Sequence, residues 1–295
     1  MKYRLLGKSG IEVSELGFGC MSLKGDQITN HRIIHSAVDE GINFFDTADL
    51  YDHGSNEETV GKALKSFRKE IILATKAGNQ WKEDGSGWDW NPGKDYILKC
   101  AKESLKRLQT DYIDLYQLHG GKIDDPIDET IEAFEILKSQ GLIREYGISS
   151  IRPNVIREWI ERSEMTSVMM QYSLLDRRPE EECLDTLGKN NVGVIARGVL
   201  AKGLLAGKPA SSFLNYSEDE VISLIKAMDG NPASRTSIAI KYVLSNSNLS
   251  TLAIGMRTSD QLSEILKAYH EQQQFKEFPL SVLKVIAPNK YELHR

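Results

Sequence analysis

Four residues with chemically useful side chains follow three short apolar segments of the chain. Asp46, Lys76 and His119 each come at the end of such a segment, and Tyr51 lies five residues after the aspartate. A tyrosine in water has a pKa of about 10 and is a poor acid at neutral pH, but a nearby ammonium group lowers that pKa. We therefore expect Asp46 to hold Lys76 charged and Lys76 to lower the pKa of Tyr51, which could then act as a general acid.

The histidine of this set, His119, could orient the oxygen of a substrate carbonyl group beside Tyr51. Protonation of a carbonyl oxygen is half of a ketone reduction, and the hydride for the other half has to come from a cofactor because no side chain supplies one. Each residue alone also has a structural interpretation, as a helix cap, a solvated lysine tip or a loop histidine. Their occurrence at successive strand ends favours the chemical interpretation.

Short apolar segments alternate with amphipathic helical patterns along the chain. Eight of them predict strands: LGFG (16–19), INFF (42–45), IILAT (71–75), YIDLYQLH (112–119), IREYGISS (143–150), TSVMMQ (166–171), VGVIAR (192–197) and STLAIG (250–255). Between them, apolar residues recur at helical spacing, as in Ile127, Ile131, Phe134 and Leu137. Strands that alternate with helices indicate a parallel sheet, and eight repeats indicate a closed (β/α)8 TIM barrel of the α/β class. The alternative is an open doubly wound sheet, but no GxGxxG follows the first strand.

The residues before the first strand predict a β-hairpin that plugs one end of the barrel. They read YRLLGKSGIEVSE, with two short strands around Lys8, Ser9 and Gly10. Because no Pro/Gly-rich linker divides the chain, we expect residues 1–295 to form a single domain. Ser55 and Glu58 have the spacing of a capping box at the start of the helix that follows Tyr51.

The composition argues against several classes of function. The formal net charge is −5, so nothing suggests a nucleic-acid partner. Three widely spaced cysteines without a CxxC pair predict neither a metal site nor a disulfide framework. No apolar run approaches the length of a membrane span, and the N-terminus lacks the apolar core of a signal peptide. We therefore expect a cytoplasmic protein without a membrane partner, and a monomer because no heptads are visible.

Six stretches resemble the successive motifs of the aldo-keto reductase superfamily: GINFFDTADLYDHGSNEETVGKAL, LATKAG, DYIDLYQLHGG, GLIREYGISS, YSLLDRRPEE and GMRTSDQLSE. The resemblance runs from the N-terminal hairpin to about Leu266. It implies a (β/α)8 barrel that reduces aldehydes and ketones with NADPH. The catalytic positions of the family fall on Asp46, Tyr51, Lys76 and His119, with Tyr51 as the proton donor.

The resemblance further implies that the cofactor lies across the strand ends without a Rossmann fold. Ser149 and Ser150 fall on the family's Ser-Asn pair, which holds the carboxamide, so a serine replaces the asparagine. Met169 falls on a family glutamine, and we expect Gln171 on the same strand face to substitute. Arg197 stands where many members place an aromatic residue against the nicotinamide ring.

The last motif is similar to the family's binding site for the adenosine end of the cofactor. Arg257 matches the arginine that binds the 2′-phosphate at a helix N-terminus, so we expect NADPH rather than NADH; alternatively, it is a solvated loop arginine. Gln261 and Glu264 match adenine contacts, whereas Ile265 replaces an asparagine. The other expected cofactor contacts are Gly19, Cys20, Met21, Asp46, Gly198, Leu200, Ala201, Lys202 and Gly255.

A loop rich in tryptophan follows the third strand. Residues 79–94 contain Trp81, Trp88 and Trp90, and aromatic walls suit a mostly apolar pocket. We expect Trp81 and Trp88 to contact the substrate together with His119, and Trp81 is the better candidate because it is closest to Lys76. Alternatively, the tryptophans pin a long loop to the barrel.

The favoured function is therefore an NADPH-dependent reduction of small aldehydes or ketones to alcohols. Two other functions stay open. One is a Schiff-base lyase or aldolase that uses Lys76 as its nucleophile. The other is a regulatory subunit that senses NADP(H) through the same fold. The complete set of four mouth residues favours the reductase.

Overall fold

Twelve strands and nine helices, together with short 3-10 turns, make up the regular structure of the computed structural model, which describes residues 1–275 and 277–295. The strands are β1 (Tyr3–Leu5), β2 (Glu12–Ser14), β3 (Leu16–Gly19), β4 (Phe44–Asp46), β5 (Ile72–Ala77), β6 (Asn79–Trp81), β7 (Trp88–Trp90), β8 (Ile113–Leu118), β9 (Ile143–Ser149), β10 (Ser167–Gln171), β11 (Gly193–Arg197) and β12 (Leu249–Gly255). The helices are α1 (Gln27–Asp39), α2 (Ser55–Leu64), α3 (Lys94–Leu108), α4 (Ile127–Ser139), α5 (Pro153–Arg162), α6 (Cys183–Lys189), α7 (Glu218–Asp229), α8 (Arg235–Leu244) and α9 (Ser259–Gln273).

Eight of these strands pair in parallel and close into one barrel. Around the ring the order is β3, β4, β5, β8, β9, β10, β11 and β12, and β12 returns to β3. All eight strands that the sequence predicts are present, with ends that differ by at most two residues from the prediction. The predicted (β/α)8 TIM barrel is therefore confirmed.

The helices cover the outside of the barrel with their apolar faces. In α4, the four residues of the predicted stripe, Ile127, Ile131, Phe134 and Leu137, are all buried. Burial of each such side chain contributes on the order of 1.5–3 kcal/mol to folding. The amphipathic pattern therefore fixes which side of the helix faces the barrel.

The N-terminal hairpin fills the bottom of the barrel, as the sequence predicts. Strand β1 pairs antiparallel with β2. Three residues of the hairpin region share a buried apolar cluster with five barrel residues, and its members are Leu6, Ile11, Val13, Phe44, Ala74, Leu115, Met169 and Ile195. These side chains form the interior core of the barrel, separate from the larger core under the helices.

The interior core determines which side chains reach the barrel mouth. Phe44 and Ala74 belong to that core, and successive residues of a strand alternate between its two faces. Asp46 and Lys76, each two residues further along, therefore lie on the same interior face at the C-terminal ends of β4 and β5. The barrel thus brings an acid and a lysine from neighbouring strands together.

The predicted capping box at the start of α2 is wrong. Ser55 is already helical, and its Oγ donates to the carbonyl oxygen of Asp52 at 2.6 Å. The reason is the preceding 3-10 turn, in which Asp52 and His53 have φ values of 48° and 54° and run directly into the helix. No free helix end is left at this point for a serine to cap.

Three further observations concern helix length, clusters of metal-ligating side chains and the cysteines. Within residues 1–275 and 277–295, no helix combines the length and apolar character that a membrane span requires. In the same part of the chain, no group of three or more His, Cys, Asp or Glu side chains is arranged to hold a metal ion. All three cysteines are buried and unpaired.

Candidate active site

A fully buried ion pair lies at the mouth of the barrel. Lys76 Nζ is 2.7 Å from Oδ1 of Asp46 and donates to Oδ2 at 2.8 Å and to the carbonyl oxygen of Thr47 at 2.6 Å. Burial opposes the charge on Lys76, but Asp46 and Tyr51 outweigh it and raise the pKa of Lys76 above its usual value. The lysine is therefore a charged ammonium at neutral pH, as the sequence leads us to expect.

Tyr51 lies against this ammonium group. Lys76 Nζ is 5.2 Å from the centre of the Tyr51 ring, and the ring meets that of His119 edge-on at a centroid distance of 5.7 Å. Burial raises the pKa of the Tyr51 phenol, and Lys76 lowers it by a smaller amount. The expectation of a lowered pKa for Tyr51 is therefore wrong, because burial outweighs the ammonium group, and the phenol keeps its proton at neutral pH.

Backbone hydrogen bonds to β5 hold the turn that carries Tyr51. Thr47 N donates to Ala74 O at 2.9 Å, and Asp49 N donates to Lys76 O at 3.1 Å. Tyr51 N then closes the turn on Ala48 O at 3.1 Å. The strand that supplies the lysine therefore also fixes the position of the tyrosine.

His119 completes the group from the end of β8. Its backbone N–H donates to Ala77 O at 2.8 Å. Burial, Lys76 and Arg197 together lower the pKa of the imidazole to about 3, so the ring is neutral at physiological pH. Its buried Nδ1 has no hydrogen-bond partner among the residues that the structure describes. A neutral imidazole can still donate one N–H to an oxygen atom in the cleft.

Behind the turn lies a second buried group that sequence reasoning missed. Glu57 is fully buried, accepts from Thr75 Oγ1 at 2.6 Å and pairs with Arg107 Nε at 2.6 Å. Nearby, Asp49 is buried, and its Oδ1 has no partner in the described part of the chain. Burial and Glu57 raise the pKa of Asp49 to about 7. In the sequence, an acid in a loop and a glutamate in a first helical turn both look solvated, so no signal distinguished them.

The four mouth residues open into one cleft of about 1150 Å³. This is larger than most pockets for drug-sized ligands, which measure roughly 300–1000 Å³. Apart from the mouth residues, most of the expected contacts line it: Gly19, Met21, Trp88, Ser149, Ser150, Gln171, Arg197, Gly198, Leu200, Lys202, Gly255, Arg257, Gln261 and Glu264. Met169 also lines the cleft, but it belongs to the interior core. Gln171 is two residues further along the same face of β10, so it is the polar side chain that this strand places at the mouth.

Three expected contacts lie outside the cleft. Cys20 and Ala201 are fully buried in the larger core, because the turns after β3 and β11 direct them inward. Trp81 stacks on His53 with ring centroids 3.7 Å apart, which also accounts for this histidine. The preference for Trp81 over the other tryptophans is therefore wrong, because the β6–β7 hairpin directs its ring to His53.

The sequence left two roles open for the tryptophans of this loop: a wall of the pocket, or an attachment of the loop to the barrel. Trp90 has a place in both. It lines the cleft, and its Nε1 donates to Asp125 Oδ1 at 2.7 Å, which pins the hairpin to the next loop. A Cβ atom on Gly120 would lie 3.0 Å from the Trp90 ring, so the ring packs directly on bare backbone. Trp88 is half exposed at the cleft entrance.

Two glycines at strand ends and an arginine line the cleft beside β3 and β12. Gly19 and Gly255 lie side by side at the ends of β3 and β12. A Cβ atom on Gly255 would be only 2.8 Å from Ser22 Oγ, so a side chain does not fit at this strand end. Arg257 lines the cleft just before α9 and takes part in no ion pair within the described residues. Its backbone N–H donates to Gln261 Oε1 at 2.9 Å. A helix N-terminus beside a free guanidinium suits a phosphate group.

The closed ring of eight parallel strands with its surrounding helices is a TIM barrel. The profile of the Aldo/keto reductase family matches residues 15–279. The chain therefore belongs to the aldo/keto reductase family, whose members use nicotinamide cofactors.

Individual relatives agree with this assignment. The solved holo structure of aldo-keto reductase AKR11C1 from Bacillus halodurans is 48% identical, with a TM-score of 0.92 and coverage of 100% of this chain and 99% of that chain. The Bacillus subtilis (strain 168) protein named Uncharacterized oxidoreductase YqkF is 46% identical over 100% of both chains. The NADH-specific methylglyoxal reductase of Escherichia coli (strain K12) is 28% identical over 91% of this chain and 93% of the relative.

The buried acid behind the Tyr51 turn generates a pH-dependent prediction. Folded Asp49 has a pKa of about 7 against an ordinary value of 3.8, so the folded state binds more protons between these values. The wild-type protein therefore loses stability as the pH rises through this range, and Asp49→Asn does not titrate. Relative to the wild type, we expect Asp49→Asn to gain roughly 3 kcal/mol of unfolding free energy between pH 5 and pH 8.

Urea unfolding at both pH values measures this difference. Asp39→Asn, which removes an exposed acid from α1, is the matched control. An Asp49→Asn protein whose stability relative to the wild type is the same at pH 5 and pH 8 would show that Asp49 does not titrate in this range.

Proposed function

We propose that this protein reduces small aldehydes or ketones to alcohols with NADPH, and that Tyr51 donates the proton. The observation that carries this proposal is the buried Lys76–Asp46 pair, which places a permanent ammonium group 5.2 Å from the Tyr51 ring inside a large cleft. Bound NADPH supplies a hydride to the carbonyl carbon, and the protein has to supply the proton for the oxygen.

The side chains at the mouth divide this task. The phenol of Tyr51 gives its proton to the carbonyl oxygen, which becomes the hydroxyl group of the alcohol. The phenolate that is left lies beside Lys76, whose charge stabilises it until solvent returns a proton. His119 is neutral and donates an N–H to the same oxygen, so the carbonyl group is held towards Tyr51. Asp46 keeps Lys76 in place and is a positioning residue.

The rest of the cleft would hold the cofactor. Ser149 and Gln171 present polar groups at the mouth, where the carboxamide has to lie next to the reacting carbon. Ser150 Oγ accepts from the backbone N–H of Arg152 at 3.2 Å, and its own O–H can still donate to the carboxamide oxygen. Lys202 and Arg257 supply positive charge for the phosphate groups further along the cleft.

The same geometry argues against a lyase or aldolase that works through a Schiff base. A lysine nucleophile has to be neutral when it attacks a carbonyl carbon. Lys76 is fully buried, its pKa is raised mainly by Asp46 against the effect of burial, and it already donates to Asp46 and to Thr47 O. These contacts hold the ammonium form and favour an electrostatic role.

Replacement of the proton donor tests the proposal. Because Tyr51→Phe removes only the hydroxyl group, we expect turnover to fall roughly 10²–10⁴-fold while the affinity for NADPH changes little. The assay follows oxidation of NADPH with a panel of aldehydes and ketones, and a fluorescence titration measures affinity. Tyr3→Phe, an exposed tyrosine of the hairpin, is the control and should keep full turnover. A Tyr51→Phe protein that turns over like the wild type would refute the mechanism.

The choice between NADPH and NADH is tested separately at Arg257. We expect Arg257→Ala to weaken NADPH binding roughly tenfold or more and to leave NADH binding unchanged, because only NADPH carries the 2′-phosphate. Arg257→Lys keeps the charge and should retain part of the preference. One relative, from Escherichia coli (strain K12), is named an NADH-specific methylglyoxal reductase, so both cofactors are titrated. Equal effects on both cofactors would mean that Arg257 does not select NADPH.

A further inference from the structure

One end of the cleft is walled by the loops that follow β5, β8 and β9. Trp90, from the first of these loops, packs on the bare backbone of Gly120 in the second. Arg152 lies just after β9 and reaches across to the same loop, where its Nη1 donates to Gly121 O. Because the two glycines directly follow His119, this wall stands beside the place where the substrate carbonyl group has to lie.

The guanidinium of Arg152 is only lightly engaged. It is half-buried at the N-terminal cap of α5, and its side chain makes a single hydrogen bond, to a neutral carbonyl group, within residues 1–275 and 277–295. The other two arginines of this region, Arg157 and Arg162 on α5, each pair with a carboxylate, whereas Arg152 takes part in none of the ion pairs between described residues. Since a guanidinium has five N–H donors, most of those of Arg152 are available to a ligand.

A second cation lies in the neighbouring loop. Lys122 is exposed and lines the cleft, and in the described part of the chain its Nζ has neither a hydrogen bond nor an ion pair. The acid closest to it in sequence with a recorded contact, Asp125, accepts from the backbone N–H of Lys122 at 2.6 Å and from Trp90 Nε1 at 2.7 Å. Both oxygens of that carboxylate are therefore occupied in holding the two loops together.

No carboxylate at this end of the cleft offsets the two positive charges. Among the residues that the structure describes, the acids that line the cleft are Asp46 and Glu264. Asp46 is paired with Lys76. Glu264 lies on α9, which follows β12, and β12 stands opposite β8 in the ring of strands. The end beside Trp90 is therefore locally positive although the whole chain carries a net charge of −5.

We propose that Arg152 and Lys122 bind an anionic group of the substrate, a carboxylate or a phosphate, so that the preferred carbonyl compounds carry a negative charge a few atoms from the carbonyl group. The inference rests on the proposed function and names its substrate class. A guanidinium binds either anion through two parallel hydrogen bonds, and the ammonium group adds a point charge.

The spacing along the loop suits a small substrate. Consecutive Cα atoms are 3.8 Å apart, so the Cα atom of Gly121, whose carbonyl group holds Arg152, is at most about 7.6 Å from that of His119. A substrate with its carbonyl group at His119 and Tyr51 therefore reaches the guanidinium with a short chain. Trp90 supplies an apolar wall along that chain.

The experiment compares substrates that differ in charge and little else. Succinic semialdehyde is paired with its methyl ester, and glyceraldehyde 3-phosphate with glyceraldehyde, at saturating NADPH. The readout is the ratio of kcat/KM for the charged member to that for the neutral member. We expect the wild type to favour the charged member of at least one pair by roughly tenfold or more. A preference in the first pair alone identifies a carboxylate, and one in the second pair alone identifies a phosphate.

Variants of the two cations assign the preference to its source. Arg152→Gln should lower the ratio roughly tenfold, mainly through a higher KM for the charged member, because the lost contact binds ground state and transition state alike. Arg152→Lys should keep part of the preference. Lys122→Gln should lower the ratio by less, since its ammonium group is exposed and screened by solvent.

Two controls accompany these variants. Arg32→Gln removes an exposed arginine of α1 and should leave the ratio at the wild-type value. The neutral member of each pair is an internal control, because a variant that reduces it at the wild-type rate is folded and binds the cofactor.

Two results would overturn the assignment. One is a wild-type protein that reduces the neutral members but favours neither charged member. The other is an Arg152→Gln protein that loses the same factor on charged and neutral substrates, which would make Arg152 a support for the loop and not a binding group. Failure of the proposed function looks different: no aldehyde or ketone is then reduced with NADPH or NADH, and the inference falls with it.

Discussion

The buried ion pair between Lys76 and Asp46 constrains everything else at the mouth of the barrel. An isolated ammonium group in the protein interior costs several kcal/mol, so a lysine without exposed surface has to have an equally buried partner. Asp46 Oδ2 and Thr47 O accept hydrogen bonds from Lys76 Nζ, and Asp46 Oδ1 lies 2.7 Å from the same nitrogen. This is why β4 ends in an acid beside the lysine of β5. The ion pair also holds a permanent positive charge next to Tyr51.

The strand that carries Lys76 also holds the irregular turn that carries Tyr51. Backbone N–H groups of Thr47 and Asp49 bind carbonyl groups of β5 on either side of Lys76, so the turn follows that strand. Behind it, the Glu57–Arg107 pair satisfies a second set of buried charges. The charges of Asp46 and Lys76 and those of Glu57 and Arg107 are thus paired with each other at the mouth and behind the turn.

Much of this arrangement could be predicted from the sequence, because periodicity encodes which face of a strand or helix is buried. The eight strands and the convergence of Asp46 and Lys76 follow from that rule. The stacking of Trp81 on His53 and the burial of Asp49 do not, since they depend on side chains from distant segments and on left-handed turn geometry. The raised pKa of Tyr51 could not be predicted from the sequence either. The nearby lysine predicts a lower pKa, whereas the burial that raises it is visible only in the structure.

The central claim is that Lys76 acts through Tyr51, and a double-mutant cycle on the rate of single-turnover carbonyl reduction tests it most directly. The variants are Lys76→Met, Tyr51→Phe and the double variant, each checked for folding and cofactor binding. If the ammonium group serves only to stabilise the phenolate, Lys76→Met slows the wild type strongly but slows Tyr51→Phe little or not at all. If the two losses multiply in the double variant, Lys76 works independently of Tyr51 and the account is wrong.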